Sequence, residues 1–120
     1  MNNSEIKDVI QLYFNANFDA NEKKIAEIFH DLAHIYGFGK NGAFAHMDKA
    51  AFVKKIESNE PNAPDARFGE ILSIDFLGEF AAVARVKIRV GDMLYTDSLN
   101  FLYLEGKWTI IAKVFSGVPV

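Results

Sequence analysis

The chain has 120 residues, half of them hydrophobic, and we expect one domain spanning residues 1–120. It contains no cysteine, which excludes disulfides, a thiolate nucleophile and cysteine-ligated metal sites. The net charge of −3 leaves no basic surplus to offset phosphate, so we expect no nucleic acid partner.

The first residues are polar and lead into no apolar segment, and no apolar run reaches the ~18 residues of a membrane span, so we expect a cytoplasmic protein without membrane contact.

The N-terminal third of the chain predicts two helices. Ser4 is a suitable N-cap, and the segment 15–21, rich in Asn and Asp, is expected to break the first helix. Asp19 or Asn21 then caps a second helix. The apolar residues at helical spacing are Ile6, Val9, Ile10, Tyr13 and Phe14 in the first helix, and Ile25, Ile28, Phe29 and Leu32 in the second.

A short hairpin is predicted next, with strands over 33–38 and 43–47. Residues 37–42 match Gly-x-Gly-x-x-Gly, but that motif binds a dinucleotide only when a helix follows it. Here a strand follows, and Asn41-Gly42 is typical of a hairpin turn, so we expect no cofactor. Asp48 is expected to cap a third helix that turns Ala51, Phe52 and Ile56 inward, before a proline-containing loop over 58–65.

Four strands are predicted in the second half, over 70–77, 81–90, 93–104 and 107–116, followed by a short tail at 118–120. Helices followed by a meander indicate an α+β fold with an antiparallel sheet packed on helices.

Two tight turns, Gly91-Asp92 and Glu105-Gly106, fix the register of the last three strands. They place one set of residues on an apolar face: Ala82, Ala84, Val86, Ile88, Val90, Met93, Tyr95, Leu99, Phe101, Tyr103, Trp108, Ile110, Ala112 and Val114. The opposite, polar face receives Arg85, Lys87, Arg89, Thr96, Ser98, Asn100, Thr109 and Lys113.

Asp97 is the one residue that breaks this pattern, because it falls on the apolar face with Val86 and Val114 as its predicted neighbours. An unpaired buried carboxylate costs several kcal/mol, so Asp97 must be paired, hydrated or protonated. It is either an acid in a pocket, with a pKa raised by desolvation, or a structural acid bonded to a helix N-terminus or a tyrosine.

The three histidines offer weaker candidates. His30 and His34 have a His-x-x-x-His spacing, but His34 is predicted to lie in a strand, and no Glu completes a zinc motif. We therefore expect no metal. His34, Tyr36 and Phe38 share one strand face, and His46 shares a face with Phe44.

Three helices, a hairpin and a meander in this length resemble the cone-shaped nuclear transport factor 2-like superfamily. Residues 71–75, 81–82, 95–99 and 106–115 (including Gly106-Lys107-Trp108) are similar to its putative lumazine-binding family, as are Phe29, His30 and Phe52. The resemblance implies a curved, cone-shaped antiparallel sheet packed on three helices, a pocket inside the cone, and homodimers that pair through the outer sheet face. Enzymes of the superfamily often place an acid on the sheet and a tyrosine on the first helix, positions that Asp97 and Tyr13 match by analogy.

Three functions remain open: a binding protein for a small, mostly apolar ligand anchored by Asp97, a cofactor-independent isomerase, dehydratase or cyclase, or an interaction module with a closed cavity. In the second, Asp97 is the base, with Tyr13, Tyr95 or a histidine such as His30 as its partner. The residues expected to line a ligand site are Phe14, Tyr36, Phe38, His46, Tyr95, Phe101 and Trp108.

Overall fold

The computed structural model describes residues 3–120 as three helices packed on one face of a curved six-stranded sheet. The α+β fold predicted from the sequence is confirmed. None of the helices in this range is both long and apolar enough to cross a membrane. The elements are α1 (Ser4–Phe18), α2 (Glu22–Ile28), β1 (Phe29–Phe38), β2 (Phe44–Asp48), α3 (Lys49–Glu57), β3 (Gly69–Phe76), β4 (Ala81–Val90), β5 (Met93–Leu104) and β6 (Lys107–Pro119).

The helices differ from the sequence prediction at their ends. Helix α1 ends within the segment 15–21, as expected, but only at Phe18, which is buried, and the Asn17 amide donates a hydrogen bond to the Tyr13 carbonyl. Helix α2, capped by Asn21, ends at Ile28 and β1 begins at once, so Leu32 is exposed rather than part of a helical stripe. Asp48 caps α3 as predicted. Phe52 and Ile56 are buried there, but Ala51 is exposed.

The strand order is β2-β1-β6-β5-β4-β3. All neighbours are antiparallel except β1 and β6, which are parallel. The sequence did not indicate this one parallel pair, because α3 and four strands separate β1 from β6. Residues 118–119 belong to β6 and pair with the start of β5, so the predicted C-terminal tail is wrong.

The glycine-rich segment after β1 is a hairpin loop, as predicted. A short 3₁₀ turn over Lys40–Gly42 joins β1 to β2, and Asn41 and Gly42 both have positive φ. No helix follows the glycines, so this loop lacks the helix N-terminus that a dinucleotide pyrophosphate requires.

A β-bulge in β6 changes the register that the sequence predicted. The β4–β5 register is as predicted throughout, and Tyr103 and Phe101 pair with Trp108 and Ile110. Beyond that point Asn100 pairs with Ala112, because Ile111 is an extra residue without a partner. The side chains after it therefore change faces. Lys113 and Phe115 turn inward, while Ala112 and Val114 turn outward, the reverse of the prediction for Lys113, Ala112 and Val114.

Candidate functional site

Asp97 is buried on the inner face of the sheet, at the centre of a polar group of three side chains. The Tyr13 hydroxyl donates a hydrogen bond of 2.5 Å to Asp97 Oδ2. Lys113 Nζ lies 3.8 Å from the same oxygen. Asp97 Oδ1 is buried without a hydrogen-bond partner. The carboxyl group is thus held on one oxygen and leaves the other unused.

Tyr13 reaches Asp97 because α1 lies across the inner face of the sheet. The helix buries Ile6, Ile10 and Tyr13 completely, at the spacing of one helical face. A buried phenol requires a partner for its O–H. Asp97 provides that partner on the strand beneath.

Lys113 enters the same space because of the bulge at Ile111. It lies between Ile35 of β1 and Leu99 of β5, and its side chain is only 10% exposed. Aromatic rings surround the amino group: Nζ lies 4.6 Å from the centre of the Phe52 ring, 5.1 Å from that of Tyr13 and 5.4 Å from that of Phe115.

An inner chamber of about 80 Å³ adjoins this group. Tyr13 and Lys113 form part of its wall, whereas Asp97 lies behind them and is not a wall residue. The chamber is lined by Tyr13, Asn17, Met47, Phe52, Lys55, Ile56, Asn59, Ile88, Val90, Tyr95, Lys113 and Phe115. It is therefore a mostly apolar space whose polar wall groups include an amine and a phenol backed by a carboxyl.

An outer vestibule of about 310 Å³ lies at the mouth of the inner chamber. Lys55, Asn59, Val90 and Tyr95 line both spaces. The remaining vestibule wall comes from the β4–β5 turn, from Lys40 and from the start of the loop after α3, and it includes charges of both signs. A ligand in the inner chamber could therefore extend into a polar vestibule.

Burial shifts the ionisation of all three polar groups. It raises the pKa of the Asp97 carboxyl, which Lys113 and Tyr13 oppose. It lowers the pKa of the Lys113 amine, which Asp97 opposes. Burial and, next, the negative charge of Asp97 raise the pKa of the Tyr13 phenol well above its ordinary value. The acid thus keeps a proton more readily than usual and the amine releases one more readily, which suits proton exchange within the site.

The structure brings together only part of the site expected from the sequence. Tyr13, Asp97 and Tyr95 lie at the inner chamber. Phe14, Phe101 and Trp108 are buried in the core and do not line it. Trp108 instead donates an indole hydrogen bond of 3.1 Å to Glu5.

His30 lies in a separate groove and does not approach Asp97. Its Nδ1 accepts a hydrogen bond from the Leu32 amide, and its neighbours in the groove include Glu27, Asp31 and Lys49. His30 and His34 both lie in β1, so their spacing does not place them on one helical face. Within residues 3–120, no three His, Asp or Glu side chains converge as a metal site would require.

Tyr36, Phe38 and His46 lie on the outer face of the sheet, opposite Asp97. Alternation along β1 buries Ala33 and Ile35 and turns Tyr36 and Phe38 outward. His46 stacks on Tyr36 with ring centres 4.6 Å apart. These residues share a face as the sequence indicated, but that face does not adjoin the inner chamber.

Sequence reasoning missed Lys113, which it placed on the polar face. An indication was available in the order of apolar residues along β6. Trp108 and Ile110 occupy even positions, whereas Ile111 and the aromatic residue Phe115 occupy odd ones. A change of parity within a half-buried strand indicates a bulge, and a bulge between Ile110 and Phe115 turns Lys113 inward.

The fold and its inner site define a protein of the nuclear transport factor 2-like class, and similarity to known proteins agrees. The sequence model of the family described as "Putative lumazine-binding" matches residues 1–116, so the chain belongs to that family. No curated protein matches the chain.

Several solved structures share the fold over nearly the whole chain. A nuclear transport factor 2-like protein of unknown function from Silicibacter pomeroyi is 23% identical with a TM-score of 0.86, covering 96% of this chain and 94% of its own. Proteins of the same description from Shewanella baltica and Methylobacillus flagellatus are 26% and 28% identical, with TM-scores of 0.85 and 0.79. The alignments cover 97% and 95% of this chain, and 93% and 90% of theirs.

Proposed function

We propose that this protein binds a small, mostly apolar ligand inside the cone, with its polar end held at Tyr13 and Lys113, which Asp97 positions from behind. The observation that carries the proposal is a buried polar group beside an apolar chamber, with Asp97 Oδ1 left without a partner. Burying a carboxyl, an amine and a phenol together costs stability compared with an apolar core. A role in ligand binding accounts for this cost in stability, whereas a purely structural role would be filled as well by apolar side chains.

The size of the inner chamber limits the ligand. An apolar cavity of about 150 Å³ is known to hold benzene. At about 80 Å³, this chamber accommodates a group of only a few heavy atoms. A larger molecule, such as the bicyclic ring in the family description, would have to leave most of its atoms in the vestibule or open the chamber.

Binding can be tested by recording amide spectra during titration with small alcohols, amides and ketones of three to five heavy atoms. We expect saturable shifts at chamber residues such as Tyr95 and Ile88, and weaker binding by Lys113→Met. Lys54, an exposed lysine on the same helix as Lys55, provides the matched control in Lys54→Met. If no compound shifts the chamber residues at millimolar concentration, the proposal is wrong.

Proton transfer is a second candidate function, favoured by the raised pKa of Asp97 and its direct hydrogen bond from Tyr13. Since Asp97 lies behind the wall, the Tyr13 hydroxyl would take a proton from the ligand as it passes its own to Asp97.

Nitroethane is a suitable probe for this second function, because it loses a carbon-bound proton and cannot condense with an amine. We expect the protein to accelerate its deprotonation, and Asp97→Asn and Tyr13→Phe to abolish the acceleration while the fold is retained. An Asp97→Asn variant as fast as the unmodified protein would exclude Asp97 as the base.

We also propose a homodimer through the outer sheet face. Tyr36, Phe38 and Val114 form an apolar part of this face and are 41%, 52% and 51% exposed. They lie beside a polar part that contains Arg85 and Ser98. Sedimentation velocity should show a dimer that Val114→Glu dissociates. Leu77→Glu, at an exposed apolar residue outside the face, should leave it intact.

A further inference from the structure

Lys113 differs from every other lysine in the chain. Among residues 3–120, which include every lysine of the chain, Lys113 is the one buried lysine. It is also a wall residue of the inner chamber, so a molecule in the chamber would touch its amino group. The buried amine is reachable from the chamber but shielded from bulk water.

The surroundings of Lys113 have opposite effects on its charge. The three aromatic rings and Asp97 stabilise the ammonium form, whereas burial favours the free amine. The balance lowers the pKa of Lys113 below that of an ordinary lysine. A desolvated lysine with this property is a better nucleophile at neutral pH, because more of it is unprotonated.

We propose that Lys113 condenses with the carbonyl group of a small aldehyde or ketone, and that carbonyl compounds are the ligand class of the inner chamber. The inference rests on the proposed binding function, which it deepens by naming the reactive atom and the ligand chemistry.

The reaction balances without an oxidant or a metal. The nitrogen lone pair of neutral Lys113 attacks the carbonyl carbon and the C=O π electrons move to oxygen. A first proton shifts from nitrogen to oxygen and gives a carbinolamine. Its hydroxyl then gains a second proton, the nitrogen lone pair forms the C=N bond as the C–O bond breaks, one water leaves, and the nitrogen releases its remaining proton. The product is an imine, C=N–Lys113. Protonation of this nitrogen gives a cation whose charge lies beside Asp97, at the position now taken by the ammonium 3.8 Å from Oδ2.

Asp97 and Tyr13 act here as positioning residues. Asp97 accepts the Tyr13 hydrogen bond on the same oxygen that faces Lys113, so both side chains converge at the same end of the chamber. The mostly apolar walls offer few polar groups to hold water beside the imine, which disfavours its hydrolysis. The chamber volume restricts the reacting part to a few heavy atoms, as in acetone or propanal.

The test is reductive trapping with acetone and cyanoborohydride, which adds hydride to the imine carbon and fixes the ligand as an isopropyl group on nitrogen. Intact mass and peptide mapping then locate the adduct. We expect Lys113 to be labelled at least about tenfold faster than exposed Lys54, because its lowered pKa leaves more free amine and the chamber holds acetone beside it. Lys113→Arg should lose this fast labelling and Lys54→Arg should keep it.

A pH profile tests the part assigned to Asp97. Because Asp97 opposes the lowering of the Lys113 pKa, Asp97→Asn should move the trapping profile to lower pH. A purely structural effect of this substitution would reduce labelling without shifting the profile. An unshifted profile would therefore remove Asp97 from the proposal.

Binding of 2-propanol, which has the shape of acetone but no carbonyl, separates this inference from the binding function. If 2-propanol shifts chamber resonances but acetone labels all lysines alike, the condensation is wrong and the binding function stands. If neither compound reaches the chamber, both are wrong. Because the adduct is located by mapping in the unmodified protein, the result does not depend on the folding of the Lys113→Arg variant.

Discussion

Lys113 Nζ lies 3.8 Å from Asp97 Oδ2 because β6 contains one residue more than its partner strand between the Glu105-Gly106 turn and this point. If Ile111 were instead paired in a regular ladder, every later residue of β6 would change faces, and Lys113 would lie on the outer face, away from Asp97. The candidate site therefore depends on a backbone irregularity as much as on its side chains.

The Asp97–Lys113 pair should show strong coupling in a double-mutant cycle. Asp97→Asn leaves a buried amine without its carboxylate, and Lys113→Met leaves a buried carboxyl with Tyr13 alone. Each should lower the free energy of unfolding, by about 3 kcal/mol at most because the remaining group can become neutral. The double variant should lose less than the sum of the two, by about 1–3 kcal/mol in urea unfolding. Simple additivity would mean that the two groups do not interact.

Tyr13 should make the protein sensitive to alkali. Its pKa in the fold lies well above 10.0, so above pH 10 the unfolded chain loses the phenolic proton while the folded chain keeps it. The folded state then binds more protons, and its stability falls as pH rises through this range. Lys113 has the opposite effect on stability, because its lowered pKa lets the folded chain lose the amine proton before the unfolded chain does. This effect ends at the ordinary lysine pKa of 10.5, above which the amine is neutral in both states.

Chemical denaturation between pH 9 and 12 should show this loss in the unmodified protein and a flatter profile in Tyr13→Phe. Tyr95→Phe is the matched comparison. The pKa of the Tyr95 phenol is also raised, but this tyrosine is only half-buried. Its removal should therefore change the slope of stability against pH less than the removal of Tyr13 does. Equal slopes for all three proteins would contradict the assignment.

Local pattern predicted most of the fold, and long-range pairing accounts for most of what it missed. The two-residue turns Gly91-Asp92 and Glu105-Gly106 determine which residues pair across adjacent strands. A shift of one residue would move the apolar side chains to the solvent face, so the register next to each turn was predictable. The β1–β6 pair joins residues about 80 positions apart in the chain, and no local feature specifies such a contact.

The candidate site was predictable in part. Asp97 stood out because a charged residue on an apolar face needs a partner, and Tyr13 followed from helical spacing and resemblance. Tyr36 and Phe38 were expected at a pocket because they are aromatic, but residue type does not distinguish the two faces of a strand without its neighbours. The face of β1 follows from Ile35, which packs against the core on the side opposite Tyr36.

Gly37 should tolerate no side chain. A Cβ there would lie 2.2 Å from the main-chain oxygen of Phe115, on the neighbouring strand β6. Gly37→Ala would have to separate β1 from β6 near Lys113, and we expect a loss of about 2 kcal/mol or more in thermal or urea unfolding. Gly39→Ala is the control, since its Cβ would meet nothing within 4 Å. The idea fails if the two variants are equally stable.

Asn62 should hold the mouth of the site in place. Its side-chain amide donates hydrogen bonds to the carbonyls of Arg89 and Ala66, at 2.9 and 3.2 Å, and its Oδ1 accepts one of 3.0 Å from the Gly91 amide. The side chain thus joins the loop after α3 to the β4–β5 turn, and these two segments supply vestibule walls. Asn62→Ala removes all three bonds from a residue that is 6% exposed.

We expect Asn62→Ala to cost about 2–3 kcal/mol in urea unfolding, given about 1 kcal/mol for each hydrogen bond. Hydrogen exchange should accelerate most at Gly91, whose amide would lose its acceptor, and little in the β5–β6 core. Asn15→Ala is the matched control, because exposed Asn15 accepts a single side-chain bond from Gln11. Unchanged exchange at Gly91 would show that the turn is held by other contacts. Faster exchange together with weaker ligand binding would indicate that the vestibule must be ordered before a ligand can reach Lys113.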